Sequence, residues 1–465
     1  MVVEVPFWDA TTTVAVQQAC AAARAGATAY VRVRLSYPGI DPFQVLGHSI
    51  DHTFAWSDGT RRLTLVAGPA AAIIEPRNDA NLEQLCHDLR ASVHGDLSGP
   101  LFFGGCAFSS SSNWPDWPLA RFVLPQWLLI RDADGATNCY LTVRVHAGDT
   151  QVDVLTKLRS VLPPQSAEPD GRSDEGCIHV TPVESKASWM ERVDAAATTV
   201  AEGALAKVVL AREVLLTPPE GYQFDAGSTL RRLRKLHSGS ITFSMHIDGH
   251  GTFLGATPET LVEVHDTEVQ THALAGTIRR GSTEEEDQRL AQALFESAKD
   301  RVEHRVVVDA MVDTLRPLCS ELAVSEVPHP IRLSQVQHLA TPIVGRLKAR
   351  QNALTLARCL HPTPAVGGWP RSSAAQYLDE QEPTRRGWYA APIGWMDSEF
   401  QGVFGVAIRS ALISPESARA WVGAGIVGAS DPDAEWRETA LKLRTVVSGL
   451  AVRKQDDSTL AGGDQ

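Results

Sequence analysis

The 465-residue sequence predicts a mixed α/β (α+β) protein. Three observations predict it. Short runs rich in Val, Ile, Leu and aromatics alternate with polar residues at period two along most of the chain. Longer amphipathic runs, acidic or cap-like at their starts, lie between them in the second half. No stretch of about 18 apolar residues interrupts the pattern.

In the first half, "TAYVRVRLSY" and "RRLTLVAG" read as strands, and "FGGCAFSSSSNWPDWP" reads as a strand entering a long polar loop. "RFVLPQWLLIRD" and "CYLTVRVHA" look like further strands. The stretch 163–178, rich in Pro, Gly, Ser and charge, is the best candidate for a flexible connection between residues 1–165 and 180–453. Next come a helix start and an amphipathic helix in "TPVESKASWMERVDAAATTVAEGALAK" and a strand in "AKVVLAREVLL". On that strand Lys207, Val209 and Ala211 share one face. "SITFSMHIDGHGTFLGATPETLVEVHDTEVQTHALAG" reads as strands joined at "DGHG" and "HDTE". "TEEEDQRLAQALFESAKDRVEHRVVVDAMVDTLRPL" is expected as one long helix with Leu294, Ala298, Val302 and Val306 as its buried stripe. The last helix starts with Asp431 as N-cap and Pro432 at the first helical position. Residues 454–465 are expected to be a disordered tail.

Length alone suggests two to three domains. The formal charge of −12 argues against a nucleic-acid groove or a membrane-surface patch. An anionic substrate would need local positive charge or a metal. The seven cysteines are odd in number, irregularly spaced and contain no CxxC, which excludes a disulfide framework and a zinc knuckle as readings. With no leader-like N-terminus, the expectation is a cytoplasmic protein.

Several residues could carry chemistry. Asp300 and Glu303 in "KDRVEH", and Glu435 and Glu438 in "EWRET", are i,i+3 carboxylate pairs on helices. Two such pairs, with water and substrate oxygens, suit a hard cation such as Mg²⁺; the same spacing is also what a solvated acidic face carries. Lys442 follows Glu438 by one turn and fits either an anion site or a surface ion pair. Lys207 either snorkels to solvent or is buried, and a buried lysine is a candidate base. Glu259 in "LGATPET" is either a polar strand terminator or the acid partner of that base. "LAGT" (Leu274–Thr277) and "GAGIVG" (Gly423–Gly428) offer backbone N–H groups. Arg409 in "VAIRSA" is expected as a strand arginine that binds a carboxylate or a structural ion-pair partner. His338 in "VQHL" is a site histidine or a satisfied core one. "HPTPAVGGWP" (361–370) sets prolines and glycines around the bare methyl of Ala365 and reads as a rigid wall.

Taken together, these pieces resemble the chorismate-utilising enzymes. The match runs in order through "KVVLAR", "GATPE", "LAGT-RRG", "KDRVEH", "VQHLATPIVGRL", "HPTPAVGG", "RGWYAAPIGW", "VAIRSA" and "AGAGIVGASDPDAEWRET-LK". "FGGCAF" and the "LP" of "VLPQWLL" extend it more weakly to the N-terminal half. The resemblance implies one domain over 1–453, with two large mainly antiparallel sheets packed as a sandwich and helices outside. It implies Mg²⁺ held by Glu303 and Glu438 with Asp300 and Glu435 in support. It places Gly276, Thr277, His338, Ala365, Tyr389, Arg409, Gly423 and Lys442 around chorismate, Lys207 as the base that activates water, and Glu259 as the acid.

The implied activity is reversible isomerisation of chorismate to isochorismate, for menaquinone/phylloquinone or siderophore biosynthesis, by a monomer or weak homodimer. Family members that use ammonia lack the lysine seen here as Lys207. Salicylate-forming members carry Thr where Ala365 stands, and they remain one alternative. A catalytically silent relative is the other. Two departures stand out: Ala391, where relatives usually have Gly, and Phe400–Gly402, where they often read "GDG".

Overall fold

The computed structural model describes residues 9–37, 39–47, 53–76, 81–164 and 177–455. Most of the expected connection at 163–178 lies outside the described residues. Two sheets carry the fold, one of 13 and one of 10 strands. The larger runs from His179–Pro182 through Lys207–Thr217 and Ala418–Ile426 to Ala29–Tyr37 and Val93–Gly95. Its pairings are antiparallel except the last, where Ala29–Tyr37 and Val93–Gly95 run parallel. The smaller sheet runs from Cys319–Val324 through Val336–Leu347 and Glu268–Arg279 to Ala120–Pro125 and Ala70–Ile74. Both halves of the chain contribute to both sheets. Phe54–Asp58 pairs with Ile241–Ile247 in one, and Pro100–Cys106 pairs with Pro392–Asp397 in the other.

The sheets face each other across Phe54, Trp56, Phe103, Phe122, Val262 and Phe404. The opposite face of the larger sheet is covered by helices. Val16 and Ala19 of Ala10–Arg24, Leu230 and Leu233 of Ala226–Leu236, and Val446 of Pro432–Gly449 belong to that second core. Each buried Val or Leu among them contributes about 1.5–3 kcal/mol, so alternation along the strands dictates the layering. No described helix is long and apolar enough to cross a membrane.

The chain passes from one sheet to the other within single short segments, and these crossings build the site. "RFVLPQWLLIRD" is two strands, Ala120–Pro125 in the smaller sheet and Trp127–Arg131 in the larger, with the switch at Gln126. Gly251–Thr257 lies in the larger sheet and Thr260–His265 in the smaller, with Pro258 and Glu259 between them. Gly402–Val406 and Ser410–Ile413 bracket a third crossing at 407–409.

Three expectations are corrected. The long helix is two, Glu284–Glu296 and Ala298–Leu315, broken at Ser297. Ser297 sits in extended backbone, and its hydroxyl caps the second helix at Asp300 N–H. The break resets the helical phase, so the anticipated stripe does not carry across it: Leu294 is buried, but Val302 is 60% exposed, and the buried face of the second helix carries His304, Val307, Met311 and Leu315. Arg409 is not in a strand; it occupies the third crossing with φ 53°. Ordered chain also continues past residue 453: Lys454 pairs with Tyr222, and Gln455 N–H donates to Gly221 C=O at 2.9 Å. Residues 456–465 lie outside the described residues.

Candidate active site

One cleft, with a cavity volume of about 70 Å³, opens among the crossings, the ends of neighbouring strands and two helices. Lys207, Glu259, Gly276, Thr277, Glu303, His338, Ala365, Tyr389, Arg409, Gly423 and Lys442 all line it. Asp300, Glu435 and Glu438 are not part of that lining, although Glu438 pairs with Lys442, which is.

Lys207 opens its strand and is 1% exposed. Its Nζ is ion-paired with Glu303 Oε1 at 2.9 Å. Gly425 on the neighbouring strand makes that pair possible. A Cβ there would lie 2.8 Å from Lys207 Cε and would strike the Glu303 carboxylate.

Glu259 is placed by its crossing, where its C=O accepts Val406 N–H at 3.0 Å and its own N–H donates to Thr257 Oγ1 at 3.2 Å. The side chain is buried, and no donor among the described residues hydrogen-bonds its carboxyl. Burial pushes the carboxyl up to about 7, although Lys207, Arg409 and Lys442 pull it back. A carboxyl tuned near neutrality can be held as the acid at physiological pH.

The anion-facing side is built around His338. Gly276 takes φ +72° at a bulge between Ala275 and Thr277, so its carbonyl turns out of the ladder. His338 Nδ1 lies 2.9 Å from that carbonyl and 3.2 Å from Thr277 Oγ1. Arg409 Nη2 donates to His338 Nε2 at 3.3 Å. These partners place the ring proton on Nδ1. Burial, with Arg409 and Lys442 nearby, holds the imidazole down at about 3, so it stays neutral. Burial also lowers Arg409 to about 10 and raises Tyr389 to about 12. Tyr389 stacks on Trp421 with centroids 6.4 Å apart, and Gly423 leaves room for its hydroxyl, 3.2 Å from where a Cβ would sit. Lys442 Nζ donates to Gly423 C=O at 3.0 Å and to Glu438 Oε1 at 2.6 Å.

The four carboxylates come from two helices, Ala298–Leu315 and Pro432–Gly449. Burial and the Glu303 charge raise Asp300. Burial and the Glu438 charge raise Glu435. Burial alone would raise Glu438 too, but Lys442 and Lys299 bring it below its ordinary value. Lys299 Nζ meets Glu435 Oε1 at 2.8 Å. Among the described residues no three acidic, His or Cys side chains are gathered into a closed metal cage. An all-oxygen set with mutually repelling charges still fits a hard cation whose shell is completed by water and ligand oxygens.

Sequence reasoning missed Lys299, which neutralises Glu435, and Trp421, which backs Tyr389. Trp421 alternates with Gly423 and Gly425 on one strand, a small–large pattern that was the available signal. Position 391 does not require left-handed backbone: the left-handed residue is Ala390 at φ 62°, while Ala391 is buried with its N–H on Trp388 C=O.

A family model described as "Chorismate binding enzyme" matches residues 15–451. The salicylate biosynthesis isochorismate synthase of Pseudomonas aeruginosa is 38% identical over 386 residues, 81% of this chain and 79% of the relative. Isochorismate synthase MenF of Bacillus subtilis is 34% identical over 417 residues, 85% of this chain and 87% of the relative. The solved structure of MenF, the menaquinone-specific isochorismate synthase from Escherichia coli, superposes with a TM-score of 0.77 at 27% identity, covering 94% of this chain and 99% of that one. With its sandwich, its cleft and a match spanning nearly the whole sequence, the chain belongs to the chorismate-binding enzymes.

Proposed function

We propose that this enzyme isomerises chorismate reversibly to isochorismate. The observation that carries the reading is that Lys207, a buried amine, and Glu259, a carboxyl raised to about 7, line one cleft beside Arg409, Tyr389 and Lys442. Water adds at C2 of the ring, and Lys207 takes its proton. The ring double bonds shift, and the C4 hydroxyl leaves with a proton from Glu259. One water enters and one departs, so the product is an isomer of similar bonding and the reaction runs both ways. Each proton-transfer role is typically worth about 10²–10⁴ in rate. Arg409, Lys442, Tyr389 and the backbone near Gly276 and Gly423 bind and orient the substrate carboxylates.

Glu303 and Glu438 would hold Mg²⁺, with Asp300 and Glu435 in support. The bound ion would supply charge to fix and offset the ring carboxylate. Glu303 then serves twice, as partner to Lys207 and as an oxygen donor. The Ala365 methyl offers no hydroxyl to the cleft, which favours release of isochorismate over further elimination to salicylate. We assign the product to menaquinone/phylloquinone or siderophore synthesis, made in the cytoplasm by a monomer or weak homodimer.

The test is chromatography of products from chorismate and Mg²⁺, with Lys207→Ala and Glu259→Gln alongside. Isochorismate accumulating to a partial equilibrium, and lost in both variants, is expected. Salicylate plus pyruvate, or bound but unchanged chorismate, would overturn the reading.

A further inference from the structure

The strand Lys207–Thr217 lacks a neighbour along part of one edge. On that side Lys207 and Val208 pair with Trp369 and Gly368, and Val214–Thr217 pair with His179–Pro182. Between those two partners, side chains and a loop carbonyl replace the missing strand. Val209 N–H donates to Gly367 C=O at 3.0 Å. Val209 C=O accepts Arg386 Nη2 at 2.5 Å. Ala211 N–H donates to Glu382 Oε1 at 2.7 Å, and Ala211 C=O accepts Arg192 Nη2 at 3.2 Å. Every edge group of Val209 and Ala211 is thereby satisfied, as burial requires.

Arg386 does more than fill the gap. It is 1% exposed and grips Glu382 through Nε and Nη2 at 2.7 and 2.6 Å. Its Nη1 donates to Val366 C=O at 2.6 Å, beside Ala365. Its own C=O accepts Tyr389 N–H at 2.9 Å. The guanidinium lies 4.4 Å from the centre of the Phe108 ring. Val209, Val366 and Tyr389 all line the cleft, whereas Arg386 and Glu382 do not. One residue therefore references three separately encoded walls to one another: its guanidinium ties Val209 to Val366, and its backbone carbonyl holds Tyr389.

We propose that the buried Glu382–Arg386 pair is a positioning unit of this site: it sets the Ala365–Val366 wall and Tyr389 against the strand that carries Lys207, and so fixes where the substrate ring sits. The proposal rests on the chorismate reading above for the identity of that ring. Arg is required because only its planar fork reaches both carbonyls and the carboxylate at once; lysine keeps the charge without the fork.

The experiment compares wild type, Arg386→Lys, Glu382→Gln, Ala365→Gly and the Arg386→Lys/Ala365→Gly double variant. It records kcat, KM and product ratio, chorismate affinity by calorimetry, and Tm. Glu382→Gln keeps an acceptor for Ala211 N–H and carries the test if Arg386→Lys fails to fold. A misplaced ring costs about 10²-fold per ångström. Arg386→Lys is expected to lower kcat at least about 10-fold and weaken chorismate binding about 10-fold, in protein that is folded at the assay temperature. Its effect and that of Ala365→Gly are expected not to multiply, because both act through one wall. A lowered Tm with unchanged kcat, affinity and product ratio per folded molecule overturns the proposal, as do strictly multiplicative effects. Wild-type protein without turnover would sink the activity instead, and calorimetry would then decide the positioning role alone.

Discussion

Replacing Glu259 with Gln should stabilise the protein, and by an amount that depends on pH. Burial moves this carboxyl from its ordinary 4.5 to about 7 in the folded chain. Below about pH 4.5 it is protonated in both folded and unfolded chains, and no stability is at stake. As pH rises from there towards 7, the unfolded chain releases the proton while the folded chain keeps it, so the folded state loses ground. Above about 7 the loss levels off. At about 1.36 kcal/mol per pKa unit, the plateau is about 3 kcal/mol. Glutamine never ionises, so the variant escapes the loss. Its stability margin over wild type should be about 1 kcal/mol at pH 5 and about 3 kcal/mol at pH 8.5. Urea unfolding of both proteins at the two pH values reads this directly. The same variant should lose about 10²–10⁴ in turnover, because the acid is gone. In the wild type, chorismate consumption should fall above about pH 7 as Glu259 ionises. An equal margin at both pH values would mean that Glu259 titrates as an ordinary carboxyl, and the argument for its role as an acid would collapse.

Gly425→Ala should cost turnover as heavily as Lys207→Ala, since the new methyl would lie 2.8 Å from Lys207 Cε; near-normal kcat would show that the Lys207–Glu303 contact is dispensable. Chelation should abolish turnover and Mg²⁺ restore it, and Glu438→Gln should raise the half-saturating Mg²⁺ concentration at least about 10-fold; activity indifferent to chelator would remove the metal from the scheme. Ala365→Thr should raise pyruvate release from chorismate, read by a coupled lactate dehydrogenase assay. Unchanged release would leave Ala365 as packing only.

Much of the site is legible in the sequence, for a local reason. Helical i,i+3 spacing places Asp300 with Glu303 and Glu435 with Glu438 whatever surrounds them. The Asp431–Pro432 cap is equally local, and Asp431 does accept Ala434 N–H at 2.7 Å. Period-two alternation put Lys207, Val209 and Ala211 on one face. Lys207 and Val209 do line the cleft, while Ala211 packs within the core.

Other features depend on residues far apart in the chain. Ser297 ends one helix and starts the next, and helical periodicity read straight through it. The switch at Gln126 and the left-handed turn at Arg409 follow from the need to cross between two sheets, which no window of a few residues records. The Lys207–Glu303 pair joins a strand to a helix 96 positions later and depends on Gly425 having no side chain. The Glu382–Arg386 clamp exists because one strand edge between two partners was left without a third. The order of residues sets out the chemistry available: acids, a base, cations and a wall of prolines and glycines. Which of them meet is set by packing, because burial, ion pairing and close backbone approach are properties of the packed chain and not of any segment within it.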